Sequence, residues 1–107
     1  MLRVRLTAFL IAAATFLPVS AQTSKALVSG IVTDPSGAAV AGAKITITDV
    51  QRNQEYKAET NSSGVYRIIE LTPSVYRVAA EAAGFRQYVL ESLPLATQQN
   101  ATVNIKL

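Results

Sequence analysis

From about residue 26 to its end the chain is built of short runs in which apolar and polar side chains alternate, and this pattern constrains the fold more than any other feature. Ala43, Ile45 and Ile47 alternate with Lys44, Thr46 and Thr48, and Tyr56, Ala58 and Thr60 with Glu55, Lys57 and Glu59. Tyr66 and Ile68 flank Arg67. Tyr76, Val78, Ala80 and Ala82 share a parity opposite to Arg77 and Glu81, and Val103, Ile105 and Leu107 alternate with Asn104 and Lys106. A period of two places each set on one side of an extended strand, so each strand has one face for a core and one for water.

Two segments are less regular. Leu27–Thr33 has Val28, Gly30 and Val32 on one side and Leu27 and Ile31 on the other, the pattern of a strand covered on both faces. The alanines at 79, 80, 82 and 83 favour helix intrinsically, but the common parity of Tyr76, Val78, Ala80 and Ala82, ended by Gly84, assigns this stretch to a strand. The punctuation agrees. Asp34-Pro35-Ser36-Gly37 has the residues of a type I turn, Asn61-Ser62-Ser63-Gly64 is suited to closing a hairpin with Asn or Gly at positive φ, and Thr72-Pro73-Ser74 marks a third corner. About seven strands at spacings of roughly 8–12 residues predict an all-β Greek-key sandwich.

Half of the 107 residues are apolar and the net charge is +3, but neither figure is spread evenly. Arg3 and Arg5 precede an uncharged run, Leu6–Leu17, which Pro18 breaks and Val19-Ser20-Ala21 follows. This is the layout of a helical secretory signal peptide over residues 1–21, with Val19 and Ala21 small enough for the peptidase and cleavage between Ala21 and Gln22. At 1.5 Å per residue the apolar run spans about 18 Å, short of the roughly 30 Å hydrocarbon core. Residues 22–25 then read as a polar linker and 26–107 as the single domain. Arg3 and Arg5 are two of ten basic residues set against seven acidic ones, so the mature domain is nearly neutral.

The chain has no His and no Cys. It therefore lacks the side chains for a thiolate or imidazole metal site, a disulfide, or a Ser-His-Asp or Cys-His pair, and the expectation is a non-enzyme without a cofactor. Asp34 and Asp49 stand outside any D-x-D-x-D run, which argues against calcium. Near-neutral charge without a basic-aromatic stripe argues against nucleic acid. Asn61-Ser62-Ser63 and Asn100-Ala101-Thr102 are formal glycosylation acceptors, relevant only to a eukaryotic source. Glu55, Lys57 and Glu59 read as a solvated ladder. Arg67 and Arg77, if they share that surface, form a candidate contact for an anion or partner.

The ordered set Gly30-Ile31-Val32-Thr33-Asp34-Pro35-Ser36-Gly37-Ala38, Val40, Gly42-Ala43, Gly64-Val65-Tyr66-Arg67-Ile68, Leu71, Pro73, Tyr76-Arg77-Val78 and Ala83-Gly84-Phe85 resembles a carboxypeptidase regulatory-like domain. The resemblance covers about residues 26–107 and implies a seven-stranded, transthyretin-like sandwich. It also implies Gly where this chain has Ser74, so the corner is expected either to use a type I turn or to carry slight strain. Physical reasons for parts of the pattern stand beside the resemblance. Gly30 permits a close approach or a bulge, and Tyr66 and Tyr76 can bury their rings with their hydroxyls bonded near the sandwich edge.

Similar modules precede TonB-dependent outer-membrane β-barrels in bacteria or decorate surface adhesins and peptidases. The expectation is a non-enzymatic, exported module of the cell envelope, periplasmic, outer-membrane-associated or secreted, that engages protein or glycan. The alternative is an accessory domain, or the N-terminal fragment, of a barrel receptor or surface peptidase, with no ligand of its own. A related hydrolase of a purine breakdown product uses His and a Tyr-Arg-Gly-Ser-like ending, whereas this chain ends Asn104-Ile105-Lys106-Leu107. Intact mass of the exported protein should correspond to a chain beginning at Gln22; a species retaining Met1 in the membrane pellet overturns the cleavage assignment.

Overall fold

The computed structural model describes residues 25–107, which contain strands and no helix. Signal-peptide cleavage between Ala21 and Gln22, and most of the linker, lie outside the described residues. The strands are Ala26–Thr33 (β1), Lys44–Asp49 (β2), Gln54–Glu59 (β3), Val65–Leu71 (β4), Ser74–Glu81 (β5), Tyr88–Leu95 (β6), Asn100–Thr102 (β7) and Ile105–Lys106 (β8). One sheet has the order β4-β1-β7, with β8 also on β1; the other has the order β3-β2-β5-β6. The expected sandwich is therefore formed; of the alanine-rich stretch, Ala79 and Ala80 lie in β5, which ends at Glu81, whereas Ala82 and Ala83 fall in the loop that follows.

The inward parity of each strand supplies the core. Val28, Val32, Ile45, Ile47, Tyr66, Leu71, Tyr76, Val78 and Ile105 are all nearly or fully buried, and Tyr56 packs on Tyr76 edge-on with ring centroids 6.5 Å apart. Burying such side chains contributes about 1.5–3 kcal/mol each before chain entropy is set against it. Both tyrosine hydroxyls are used. Tyr76 donates to the Thr72 carbonyl four residues upstream, a tyrosine corner, and Tyr66 donates to the Val103 carbonyl at 2.5 Å. Burial raises both phenols to about 12, with a further upward push on Tyr66 from Tyr88 and on Tyr76 from the Asp49 charge.

Three sequence expectations change. The Asn61–Gly64 turn closes no hairpin, because β3 pairs with β2 and β4 with β1, so the turn arches from one sheet to the other. It matches in chemistry the first arch, residues 34–43, which carries the chain from β1 in one sheet to β2 in the other. Asp34 Oδ1 accepts from the N–H groups of Ser36 and Ala38, and Asn61 Oδ1 from those of Ser63 and Val65. The second change is in β1, which is covered on one face only: Val28 and Val32 are sealed while Ile31 is 44% exposed. The third is the last strand, which is interrupted at Val103–Asn104, where the Asn104 side-chain oxygen accepts the Ile31 N–H that a continuous ladder would take.

That interruption follows from Gly30. A Cβ built there would lie 1.9 Å from the Val103 carbonyl oxygen and 3.0 Å from the Tyr66 ring. Gly30→Ala should therefore destabilise the domain by about 1–3 kcal/mol through overpacking, read as a lower denaturant midpoint. Unchanged stability would show that the chain does not cross Gly30 this closely.

Candidate functional site

The outward parity of the β3-β2-β5-β6 sheet builds a polar face in register. Glu59, Lys44 and Glu81 form one cross-strand row; Lys57, Thr46, Ala79 and Val89 the next; Glu55, Thr48 and Arg77 a third. The two central strands carry small side chains in the middle, Thr46, Thr48 and Ala79, between longer ones on each side. The result is an open trough of about 370 Å³ that Glu91 and Gln87 also line. Two further hollows, of about 360 and 470 Å³, adjoin it toward β3 and toward the 82–87 loop, and Lys44 and Glu81 line all three. Opposed in register on neighbouring strands, these two side chains form the hub of the face.

The expected ladder of Glu55, Lys57 and Glu59 does stand on this solvated side. Arg67 and Arg77 do not share it. Arg77 lies on the trough, whereas Arg67 is on β4, opposite Ser29 on the outer face of the other sheet. The shared anion contact expected from the sequence is not formed, because like parity in two strands gives the same direction only if they lie in one sheet. Around Arg67 the surface is apolar instead, with Ile31, Val65 and Ile69 exposed. Lys44 and Glu81 were not singled out in the sequence. Their outward parity was visible there, but not that β2 and β5 are neighbours.

The opposite end of the same two strands is closed by a buried carboxylate. Asp49, 1% exposed, accepts from Ser74 Oγ at 2.7 Å, the Gln51 N–H at 3.0 Å and the Arg52 N–H at 3.1 Å, and pairs with Arg52 Nη1 at 3.3 Å. Burial pushes its pKa up, but the hydrogen bonds from Ser74, Arg52 and Gln51 outweigh that and hold it below the ordinary value. Ser74 is therefore no strained stand-in for glycine. The non-glycine residues at positive φ among the described residues are Asn53, Glu70 and Gln98, and Ser74 instead opens β5 with its hydroxyl on Asp49.

Asp34 lies in the first arch, at the other pole from Asp49. The Ser36 hydroxyl and backbone N–H groups hold its carboxyl below the usual value. Among the described residues no three His, Cys, Asp or Glu side chains gather as a metal site.

Residues 27–107 match the family model of the carboxypeptidase regulatory-like domain. Solved structures of similar fold include a putative carbohydrate binding protein from Bacteroides uniformis (TM-score 0.61, 17% identity, 76% of this chain and 40% of that one). The TIE protein of Bacillus anthracis is another (TM-score 0.66, 16% identity, 78% and 16%), as is hydroxyquinol 1,2-dioxygenase from Pseudomonas putida (TM-score 0.62, 13% identity, 77% and 55%). The chain thus spans little more than half of the longest-covered of these three, and at such identities the likeness establishes the fold. No curated protein matches the chain.

The Asp49 cluster sets a pH dependence. A carboxylate whose pKa is lowered on folding contributes stability that is present above its unfolded value, 3.8, and is lost as pH falls through the lower folded value. Ser74→Ala should cost about 1–3 kcal/mol and move acid unfolding to higher pH, because the hydroxyl bonds the charged form. An unchanged acid midpoint, followed by circular dichroism, overturns this assignment.

Proposed function

Because the chain belongs to the carboxypeptidase regulatory-like domain family, we propose that it is a non-enzymatic, exported module of the bacterial cell envelope that engages glycan or protein across the outer face of β3-β2-β5-β6. The observation that carries this reading is the trough floored by Thr46, Thr48 and Ala79. Lys44 and Arg77 offer donors along it, and Glu55, Glu81 and Glu91 offer acceptors. A ligand that presents donors and acceptors together, such as the hydroxyls of a sugar chain or the backbone of an extended peptide, can satisfy both kinds. The openness of the face suits a polymer lying along the sheet better than an enclosed small molecule, which needs a deeper cavity. The carbohydrate-binding name of one structural neighbour gives the glycan reading associational support.

A second reading rests on the opposite face. Ile31, Val65 and Ile69 are exposed around Arg67, a surface suited to seating the domain against a larger partner such as an outer-membrane β-barrel or a surface peptidase. On that reading the module supports its partner and has no ligand of its own.

The two separate by mutation. Ala79→Arg fills the trough floor, while Arg67→Ala alters only the other face. Retention of envelope polysaccharides on the immobilised protein, measured alongside pull-down from envelope extract, should fall about tenfold or more with Ala79→Arg and stay unchanged with Arg67→Ala. Retention that is insensitive to Ala79→Arg overturns the first reading.

A further inference from the structure

The two sheets have four outer edges, and three of them carry features that discourage a new strand. β4 is bulged against β1, with Glu70 at φ 59°. The β7/β8 edge consists of two short strands broken at Val103–Asn104. β6 is bulged against β5 and carries Pro94 in its ladder. Bulges, short strands and proline are the usual means of blunting an edge. β3 has none of them: Gln54–Glu59 runs regularly along β2, one residue for one, without Pro or Gly.

The open side of β3 can be read from the ladder. Thr60 N–H donates to the Ala43 carbonyl and the Thr60 carbonyl accepts from Gly42, so Thr60 faces β2. Backbone direction alternates along a strand. The N–H and C=O groups of Ala58 and Tyr56 therefore also face β2, and those of Glu55, Lys57 and Glu59 face outward. Their side chains stand on the solvated face, where a strand laid alongside would bury no charge.

We propose that β3 pairs antiparallel with β3 of a second copy of this chain, about a two-fold axis at Tyr56. The occupant is selected by charge. In this register Glu55 lies opposite the partner's Lys57 and Lys57 opposite the partner's Glu55, two oppositely charged pairs in hydrogen-bonded positions. A two-fold axis at Lys57 instead sets Lys57 against Lys57 and Glu55 against Glu59, which is repulsive. Tyr56 chooses between the remaining attractive registers. Half-buried beside Tyr76, its ring meets its own symmetry mate at the non-hydrogen-bonded position, where strands approach most closely. The contact is isologous, merges two four-stranded sheets into one of eight, and places the two troughs on one continuous face.

A contact of one short strand is small, so dissociation should fall on the order of 10⁻⁵ to 10⁻³ M. Sedimentation equilibrium across that range, on protein expressed from the full-length chain, should show a monomer–dimer equilibrium. Lys57→Glu alone and Glu55→Lys alone should each weaken it at least about tenfold. Glu55→Lys combined with Lys57→Glu should restore it, and Glu59→Lys, which lies opposite the partner's Asn53 outside the strand, should leave it unchanged. All three substitutions are on exposed positions, and thermal melts of the four variants confirm folding. A wild-type chain that stays monomeric, a Lys57→Glu variant that dimerises normally, or a double variant that stays monomeric overturns the proposal. Loss of association in Glu59→Lys overturns the Tyr56 axis.

Discussion

A hydrogen atom at position 30, where every other residue type carries a carbon, lets the C-terminal segment close the first sheet. Through that gap the Val103 carbonyl reaches the space beside the β1 backbone and accepts the Tyr66 hydroxyl, while Val103 N–H donates to Ser29. Three strands meet there: β1 from the start of the domain, β4 from its middle and the β7/β8 segment from its end. Without the crossing, β1 would have a neighbour on one side only, and Val28 and Val32 would lose part of the cover that seals them. Asn104 follows from the same geometry. A chain that swings over Gly30 leaves the ladder for a moment, and its side-chain oxygen takes the Ile31 N–H left behind.

Period-two alternation made β2 to β5 and their inner faces legible, since it depends only on side chains pointing alternately up and down; β6, whose alternation is broken by its bulge against β5, was not read from it. It carries no information on which strands are neighbours. For that reason Asn61–Gly64 read as a hairpin although it is an arch, and Arg67 and Arg77 read as one surface although they lie on different sheets. The outward parity of Thr46, Ala79, Lys44 and Glu81 was likewise visible, but not their convergence, which exists only once β2 and β5 pair in register. Ser74 shows a different limit. Its neighbour Pro73 and the expected glycine suggested a question of backbone conformation, whereas the residue is fixed by a carboxylate twenty-five positions away.

The two outer faces differ in chemistry because their strands differ in what they can expose. The β3-β2-β5-β6 sheet shows small polar residues flanked by both signs of charge, a surface that stays wet and can exchange water for a ligand's hydrogen bonds. The other sheet shows Ile31, Val65 and Ile69 beside Arg67, a surface that gains by being covered. A module with one face of each kind can hold a partner and a ligand at once without either competing for the same residues. Each of the two functional readings is thereby tied to its own sheet.

The polar face also depends on how its strands are anchored. Asp49 ends β2 and Ser74 begins β5, so their hydrogen bond, with Asp49 held by the Gln51 and Arg52 backbone, fixes the relative height of the two central strands at one pole. Given that register, Lys44 and Glu81 must come opposite each other at the other pole, where the first arch and the 82–87 loop leave the face open. There Thr60 does the corresponding work below the surface, accepting from Ala43 N–H and donating to the Val40 carbonyl at 2.6 Å, so the arch is tied down without covering the hub. Asp49, Ser74 and Thr60 lie beneath the face, and Lys44, Glu81, Glu55 and Arg77 stand upon it. A site presented on strands whose register is set from both ends requires little ordering when a ligand arrives, which is what makes an open, shallow face usable for binding at all.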